Sequence, residues 1–113
     1  MRDPLLVDWL DREFSEVRPG IHGATIHADQ LPVTVYRYEP HSTWEEHAHP
    51  EEQVTTVVKG GEIEFTVAGE SVKLSPGKLA VIPGGTPHSA QNGDEEVVAV
   101  NVWRLRRSGA WAG

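Results

Sequence analysis

Short runs of strand-forming residues, separated by turn signals, fill most of this chain and constrain its fold more than any other feature. From about residue 21 onward, β-branched and aromatic residues recur in runs that favour β-strands. The runs cover residues 33–38, 54–58, 63–67, 72–74, 79–82 and 97–105. Glycine, proline and asparagine mark a turn about every 8–12 residues, a spacing typical of an all-β sandwich, jelly roll or barrel. We therefore predict an all-β fold.

The first residues follow a helical pattern instead. Asp3 can cap a helix, and Pro4 suits its first turn. The apolar residues that share one helical face are Leu5, Leu6, Trp9, Leu10 and Phe14. We expect a short helix over 3–14 whose apolar face packs on the body of the protein or on a second subunit. The chain then divides into an N-terminal helix and lead-in, 1–20, and a single domain, 21–113.

Composition excludes several classes of protein. The chain has 113 residues, enough for one domain. Ten Lys and Arg against 17 Asp and Glu give a net charge of −7, so we predict no nucleic-acid partner. No apolar run approaches the roughly 18 residues of a membrane span, so we predict no membrane partner. The absence of cysteine excludes disulfides, zinc–thiolate sites and thiol nucleophiles. The N-terminal apolar stretch is short and broken by Asp8 and Asp11, and we expect a cytoplasmic protein.

A histidine pair is the first sign of chemistry. His47 and His49 lie two residues apart and would project from one face of a strand. Gln53 keeps the same parity if the chain stays extended past Pro50, and a third imidazole would come from elsewhere, such as His88. Imidazole suits zinc, nickel, copper or iron. By spacing alone, two solvent-exposed histidines on an acidic loop explain the pair equally well.

The context of the pair resembles the conserved motifs of the cupins. The first motif is matched by His47, His49, Gln53 and Gly60, and the second by Gly77, Pro83, Gly85, His88 and Asn92. The motifs span 47–92, and the strand pattern extends the resemblance over about 21–105. The resemblance implies a small jelly-roll-like double-stranded β-helix. It also implies one divalent transition metal ion, zinc, nickel, manganese or iron, held by His47, His49, Gln53 and His88.

Two positions depart from the usual cupin motif. The motif normally opens with glycine where this chain has His41, which is an extra ligand, a substrate-facing group or a loop histidine. The ligand that is usually glutamate is Gln53, and Glu51 or Glu52 are alternative ligands with a poorer spacing. Three imidazoles and a neutral amide leave the charge of a divalent ion uncompensated, which favours Lewis-acid chemistry over oxygen activation.

Two cupin subfamilies with glutamine in this position are similar to this chain. One converts 4,5-unsaturated uronates to their linear keto form in pectin and alginate breakdown, and the other cyclises aromatic polyketides. The segments 47–53 and 14–21 resemble the first subfamily. That subfamily has Asp-X-Phe and then arginine in its last strand, where this chain has Asn101, Trp103 and a choice of arginines. Asn101 cannot act as the acid or base that aspartate would be.

Several residues are candidates for binding a small-molecule substrate. Asn101, Trp103 and Arg107 share one face of the last strand, although parity does not say which face is inside. If this face is inside, Trp103 bounds the pocket and Arg107 clamps a carboxylate. Otherwise Trp103 belongs to the core and the arginines face solvent. Tyr36, Tyr38 and Trp44 are further pocket walls or core residues.

We expect a metal-dependent isomerase, cyclase or lyase that binds adjacent substrate oxygens and stabilises an enediolate-like intermediate. Glu46, Glu52 and His41 are the candidate proton shuttles, and Asn101 and Arg107 are further candidate catalytic residues. A metal-dependent dioxygenase and a non-catalytic ligand-binding module are the alternatives. The resemblance also implies a homodimer, with the helix face and the strand 97–105 as contact surfaces.

Overall fold

The computed structural model describes residues 12–28 and 31–104, and these residues form an all-β fold, as predicted. The strands are β1 (Ser15–Arg18), β2 (Ile21–Ala28), β3 (Leu31–Tyr38), β4 (Thr43–His47), β5 (Gln53–Gly60), β6 (Ile63–Val67), β7 (Glu70–Leu74), β8 (Leu79–Ile82), β9 (His88–Asn92) and β10 (Val97–Trp103). This part of the chain has no helix with the length and apolarity needed to span a membrane.

The strands form two antiparallel sheets. The larger sheet has the order β1-β2-β3-β10-β5-β8, and the smaller one has the order β4-β9-β6-β7. The last strand, β10, lies between β3 and β5 and is hydrogen-bonded along both edges. A dimer contact through this strand, as expected from the sequence, is therefore limited to its outer face.

The hydrophobic core lies between the two sheets. The larger sheet contributes Ile21, Tyr36, Tyr38, Val57, Ile82, Val97 and Ala99, and the smaller one contributes Ile63, Phe65, Leu74 and Ala90. The isoleucines at 21, 63 and 82 are fully inaccessible to solvent. Burying an aliphatic side chain of this size contributes about 1.5–3 kcal/mol, so the core supports a barrel with polar residues at its mouth.

Two glycines allow the chain to turn where a side chain would not fit. Gly60, at the end of β5, has a φ of 98°, and a Cβ atom there would collide with the carbonyl oxygen of Glu96. Gly84 lies so close to Pro50 that a Cβ atom would collide with its carbonyl oxygen. The next residue, Gly85, donates a 2.7 Å hydrogen bond to the His49 carbonyl oxygen. The glycine-rich turn after β8 therefore supports the loop that contains His49.

The N-terminal region differs from the prediction where it can be compared. The predicted helix over 3–14 lies outside the described residues except for 12–14, which are not helical. Within the predicted lead-in, 1–20, Ser15–Arg18 forms β1 and pairs with β2. The register of this pairing shifts between Glu16 and Arg18, as at a β-bulge.

Candidate metal centre

Three imidazoles converge at the mouth of the barrel. His47 ends β4, His88 begins β9 directly opposite it, and His49 lies in the loop between β4 and β5. The ring centroids of His47 and His88 are 4.3 Å apart, and those of His49 and His88 are 5.0 Å apart. One nitrogen from each ring lies within 4.8 Å of the other two, so the three residues could hold a metal ion.

An irregularity in β4 brings an aromatic ring to the same side as the histidines. Trp44 pairs with Ala90, but the register shifts before His47 pairs with His88. This bulge lets residues three apart face the same way, whereas a regular strand would place them on opposite faces. The rings of Trp44 and His47 are consequently 5.7 Å apart.

Each imidazole is oriented by a backbone carbonyl oxygen two residues away. The Nδ1 atom of His47 lies 2.9 Å from the Glu45 oxygen, that of His49 lies 3.0 Å from the Glu51 oxygen, and that of His88 lies 2.8 Å from the Thr86 oxygen. A carbonyl oxygen only accepts, so each Nδ1 carries the hydrogen. Every Nε2 atom therefore keeps its lone pair, as a metal ligand requires.

His88 is the most buried of the three. Burial lowers the pKa of its imidazole, the hydrogen bond to the Thr86 carbonyl opposes this shift, and the nearby His47 and His49 add to it. Its Nε2 atom is buried and has no hydrogen-bond partner within the described residues. A buried acceptor without a partner is costly, and a metal ion is one partner that satisfies it.

Gln53 directs its amide oxygen toward the same place. Its Nε2 atom donates a 2.7 Å hydrogen bond to the Thr55 hydroxyl, which donates a 2.8 Å bond to the side-chain oxygen of Asn101. All three side chains are buried. This relay leaves the Gln53 oxygen 3.1 Å from the Nε2 atom of His49. Two lone pairs then face each other without a hydrogen between them, an arrangement that a cation relieves.

The neighbouring glutamates occupy different positions. The Glu51 carboxylate is 1% exposed and lies 3.8 Å from the Nδ1 atom of His49, on the opposite side of the ring from Nε2. Neither of its oxygens has a hydrogen-bond partner among the described residues. Glu52 is half-buried and uses its backbone oxygen to accept a bond from Arg104. Of the three predicted alternatives for the fourth ligand, only Gln53 directs a side-chain oxygen toward the ligating nitrogens.

Two cavities adjoin the imidazoles. The larger has a volume of about 470 Å³ and is bordered by His47 and His49. The smaller, of about 20 Å³, is bordered by His47, Gln53, His88 and Asn101 and has room for one water-sized sphere. The two share Tyr36, Trp44, His47 and Trp103 in their walls, so the smaller cavity lies beside the larger one.

Comparison with known proteins agrees with this architecture. A family model described as a cupin domain matches residues 34–103. This chain is a cupin. A curated relative from Bacillus subtilis, named H2HPP isomerase, is 35% identical over 107 residues, which cover 91% of this cupin and 41% of the relative. The chain therefore spans about two-fifths of the length of that relative.

Solved structures show the same fold. KdgF from a Halomonas species aligns with a TM-score of 0.82 and 24% identity, covering 94% of this cupin and 96% of that chain. The polyketide cyclase RemF from Streptomyces resistomycificus aligns with a TM-score of 0.79 and 20% identity, covering 89% and 79% of the two chains. At these identities the likeness concerns the fold alone.

The residues at the mouth of this cupin fit a divalent transition metal ion. The three Nε2 lone pairs and the Gln53 oxygen are neutral nitrogen and oxygen donors that lie close together, and His47, Gln53 and His88 also border the small cavity. The unpartnered Nε2 atom of His88 is an independent sign that a group is bound there. The ligand set implied by the resemblance is thus assembled in one place, and the donors alone do not identify the metal.

The predicted substrate-binding residues divide between cavity and core. Trp103 and Tyr36 border both cavities, whereas Tyr38 borders only the smaller one and is 4% exposed in the core. Burial raises the pKa of Tyr36 to about 12, against smaller opposing effects of the hydrogen bond to Thr34 and the charge of Arg18. Burial also raises the pKa of Tyr38. Both phenols therefore remain neutral at ordinary pH.

Among the candidate catalytic residues that the structure describes, only Asn101 lies beside the imidazoles. It is 7% exposed, and its side-chain oxygen accepts the Thr55 bond. His41 is exposed in a turn with a φ of 59°, and neither cavity includes it or Glu46 or Glu52. Arg107 lies outside the described residues.

The sequence analysis did not identify four polar residues of the larger cavity. They are Arg18, Thr25, His27 and Thr34. Thr25 and Thr34 share a 3.0 Å hydrogen bond across β2 and β3, and the Trp103 ring nitrogen donates a 3.3 Å bond to Thr34. Alternation along β3 could have placed Thr34 and Tyr36 on one face. The position of Arg18 depends on the irregular pairing of β1, for which the sequence has no signal.

Proposed function

We propose that this cupin is a metal-dependent enzyme that acts on a small oxygenated molecule, as an isomerase, cyclase or lyase. The observation that carries the proposal is the convergence of three Nε2 lone pairs, two of which belong to residues that border a cavity of about 470 Å³, His47 and His49. A cavity of this volume suits a small organic molecule. The names of the Bacillus subtilis relative and of RemF, an isomerase and a cyclase, support this class of reaction.

His47, His49 and His88 would hold the metal ion, with the Gln53 oxygen as the fourth ligand. A divalent ion bound there supplies Lewis acidity, which polarises a carbonyl or hydroxyl group or lowers the pKa of a bound water. The ligands themselves are neutral, and the nearest carboxylate, Glu51, lies behind His49. The ligand set therefore favours polarisation of substrate over cycling through higher oxidation states.

The other cavity residues orient the substrate and supply a hydrogen-bond donor. Trp44 and Trp103 form aromatic walls of the larger cavity. Asn101 cannot exchange a proton, and its oxygen is engaged by Thr55. Tyr36 borders both cavities with a neutral hydroxyl, and we assign it the donation of a hydrogen bond to negative charge that develops on a substrate oxygen.

Metal content is the first test of the proposal. Protein purified without a metal-affinity tag should carry near-stoichiometric metal by elemental analysis. The His49→Ala and His88→Ala variants should lose the metal and stay folded. His27→Ala is the matched control, because His27 borders the larger cavity but does not belong to the converging group. Wild-type protein without metal, even after reconstitution, would refute the metal-dependent reading.

Turnover is the second test. Metal-loaded protein would be incubated with 4,5-unsaturated uronates, the first choice because segment 47–53 resembles the uronate-converting cupins, and with other keto sugars. Conversion to an isomer, followed by NMR, should proceed equally without oxygen and stop on addition of a chelator. Oxygen consumption with bound iron would instead identify a dioxygenase. Tight ligand binding without turnover would identify a binding module.

A further inference from the structure

The larger cavity exposes one permanent positive charge to a ligand. Among the described residues that border it, Arg18 is the only lysine or arginine. The one acidic residue there, Glu51, has a side chain that is 1% exposed. The whole chain carries a net charge of −7, so the accessible charge in this cavity has the opposite sign to the net charge of the protein.

Arg18 is held beside an aromatic ring and is available to a ligand. The register shift in β1 directs its side chain to the cavity, where the guanidinium carbon lies 5.1 Å from the centroid of Trp44. Its Nη1 atom donates a 2.9 Å hydrogen bond to the Val17 carbonyl oxygen. Within residues 12–28 and 31–104, Arg18 forms no ion pair. A stacked guanidinium keeps most of its N–H groups at the ring edge, free for an anion.

The wall between Arg18 and the imidazoles is flat and largely apolar. Trp44 contacts both the guanidinium and His47, and its ring centroid lies 5.7 Å from that of His47. Trp103, which packs 5.1 Å from His49, and Pro32 complete an aromatic and aliphatic lining. A ligand that reaches from Arg18 to the imidazoles therefore passes beside an indole ring.

We propose that the cavity binds a small organic carboxylate, with the carboxylate on Arg18, a flat carbon skeleton against Trp44 and an oxygen function toward the three imidazoles. This inference names the substrate class and rests on the proposed function. A guanidinium pairs with a carboxylate through two parallel hydrogen bonds. A single fixed cation matches the single charge of a carboxylate, whereas a phosphate dianion would leave one charge unpaired.

Binding of a matched pair of probes tests this inference. The probes are 3-phenylpropanoate and its neutral amide, 3-phenylpropanamide, which share ring, spacer and shape. Calorimetry would compare them on the full chain, both metal-loaded and treated with a chelator. The variants are Arg18→Gln, Arg18→Lys and the control Arg37→Gln. Arg37 pairs with Glu96, and neither cavity includes it.

The wild type and Arg37→Gln should bind the carboxylate about tenfold more tightly than the amide, with or without metal, as expected for a charge-assisted hydrogen bond. Arg18→Gln should lose this preference, and Arg18→Lys should keep part of it. Thermal unfolding of the variants would verify that they fold. A preference that survives in Arg18→Gln, or binding of neither probe, would overturn the inference.

The two metal states separate this inference from the proposed function. If the preference for the carboxylate appears only in metal-loaded protein and is unchanged in the Arg18 variants, the metal binds the carboxylate. This outcome overturns the inference but leaves the proposed function standing. If the protein never binds metal but prefers the carboxylate in a way that depends on Arg18, the inference is supported and the proposed function is refuted.

Discussion

The Nε2 atom of Gln53 donates a 2.7 Å hydrogen bond to the Thr55 hydroxyl, and this bond turns the amide oxygen of Gln53 toward His49. Without it, either end of the amide could face the ligating nitrogens, and the NH₂ end cannot bind a metal ion. Thr55 is 1% exposed, and among the described residues its hydroxyl bonds Gln53 and Asn101 rather than any of the three imidazoles. It is therefore a positioning residue.

The Thr55→Val variant should weaken metal binding about 10–100-fold, as is usual when a residue that orients a ligand is lost. Valine has the shape of threonine but can neither accept the Gln53 bond nor donate to Asn101. Competition with a chelator would measure the affinity. Thr56→Val is the control, because the Thr56 hydroxyl bonds the Lys78 carbonyl on an exposed surface. Equal affinities of the two variants would refute the relay.

Replacing Glu51 by glutamine should have opposite effects on the two forms of the protein. The Glu51 carboxylate is buried without a hydrogen-bond partner among the described residues. Metal-free Glu51→Gln protein should therefore be more stable to urea by about 1–3 kcal/mol. Its metal affinity should fall about tenfold, because a negative charge behind His49 is lost. Glu52→Gln, next along the chain, should change neither value. A loss of stability without metal would contradict this account.

His41→Gly should stabilise the protein and leave metal binding unchanged. His41 has a φ of 59°, the left-handed conformation that glycine adopts freely. Relief of about 1–2 kcal/mol of strain exceeds the cost of about 0.4–1 kcal/mol for a more flexible unfolded chain. Urea unfolding should show a net gain of roughly 0.5–1 kcal/mol. Reduced metal content in this variant would show that His41 reaches the metal.

Both tyrosines of the chain should resist ionisation until the protein unfolds. Burial raises the pKa of Tyr36 from 10.0 to about 12 and raises that of Tyr38 as well. The folded state therefore favours the neutral phenols, and the stability they contribute is complete below pH 10 and is lost as the pH rises toward 12.

Tyrosinate absorbance at alkaline pH would test this expectation. The folded protein should show little tyrosinate near pH 10, whereas urea-unfolded protein should titrate around that value. The Tyr36→Phe variant should lose less stability than the wild type between pH 10 and pH 12. A folded-state titration near pH 10 would contradict the buried position of these residues.

Strands rich in β-branched and aromatic residues could be predicted from the sequence, whereas β4 and β9, which carry two of the imidazoles, could not. Runs such as 54–58 and 63–67 are rich in β-branched and aromatic residues, and they form β5 and β6. In contrast, β4 contains Glu45 and Glu46, and β9 has no β-branched residue. Tertiary pairing formed these two strands against weak propensity.

The grouping of the metal ligands was predicted, but the argument from strand parity explains only part of it. His47 ends its strand and His49 lies in a loop, so the two imidazoles do not share one regular strand face. Their convergence depends on the support of Gly84 and Gly85 and on His88 across the sheet. These contacts join segments that are distant in the sequence. The two cupin motifs include the residues that make them, whereas the alternation of side chains along one strand does not predict them.

The orientation of the imidazoles by main-chain oxygens has a consequence for how this scaffold diversifies. A carbonyl group at position 45, 51 or 86 survives any exchange of its own side chain. The side chains at neighbouring positions are therefore not needed to orient the imidazoles. Mutations can change the aromatic wall around Trp44 and Trp103 while the imidazole nitrogens stay in place. Under the proposed function, changes in the cavity lining alone could replace one reaction by another while the candidate metal site is kept.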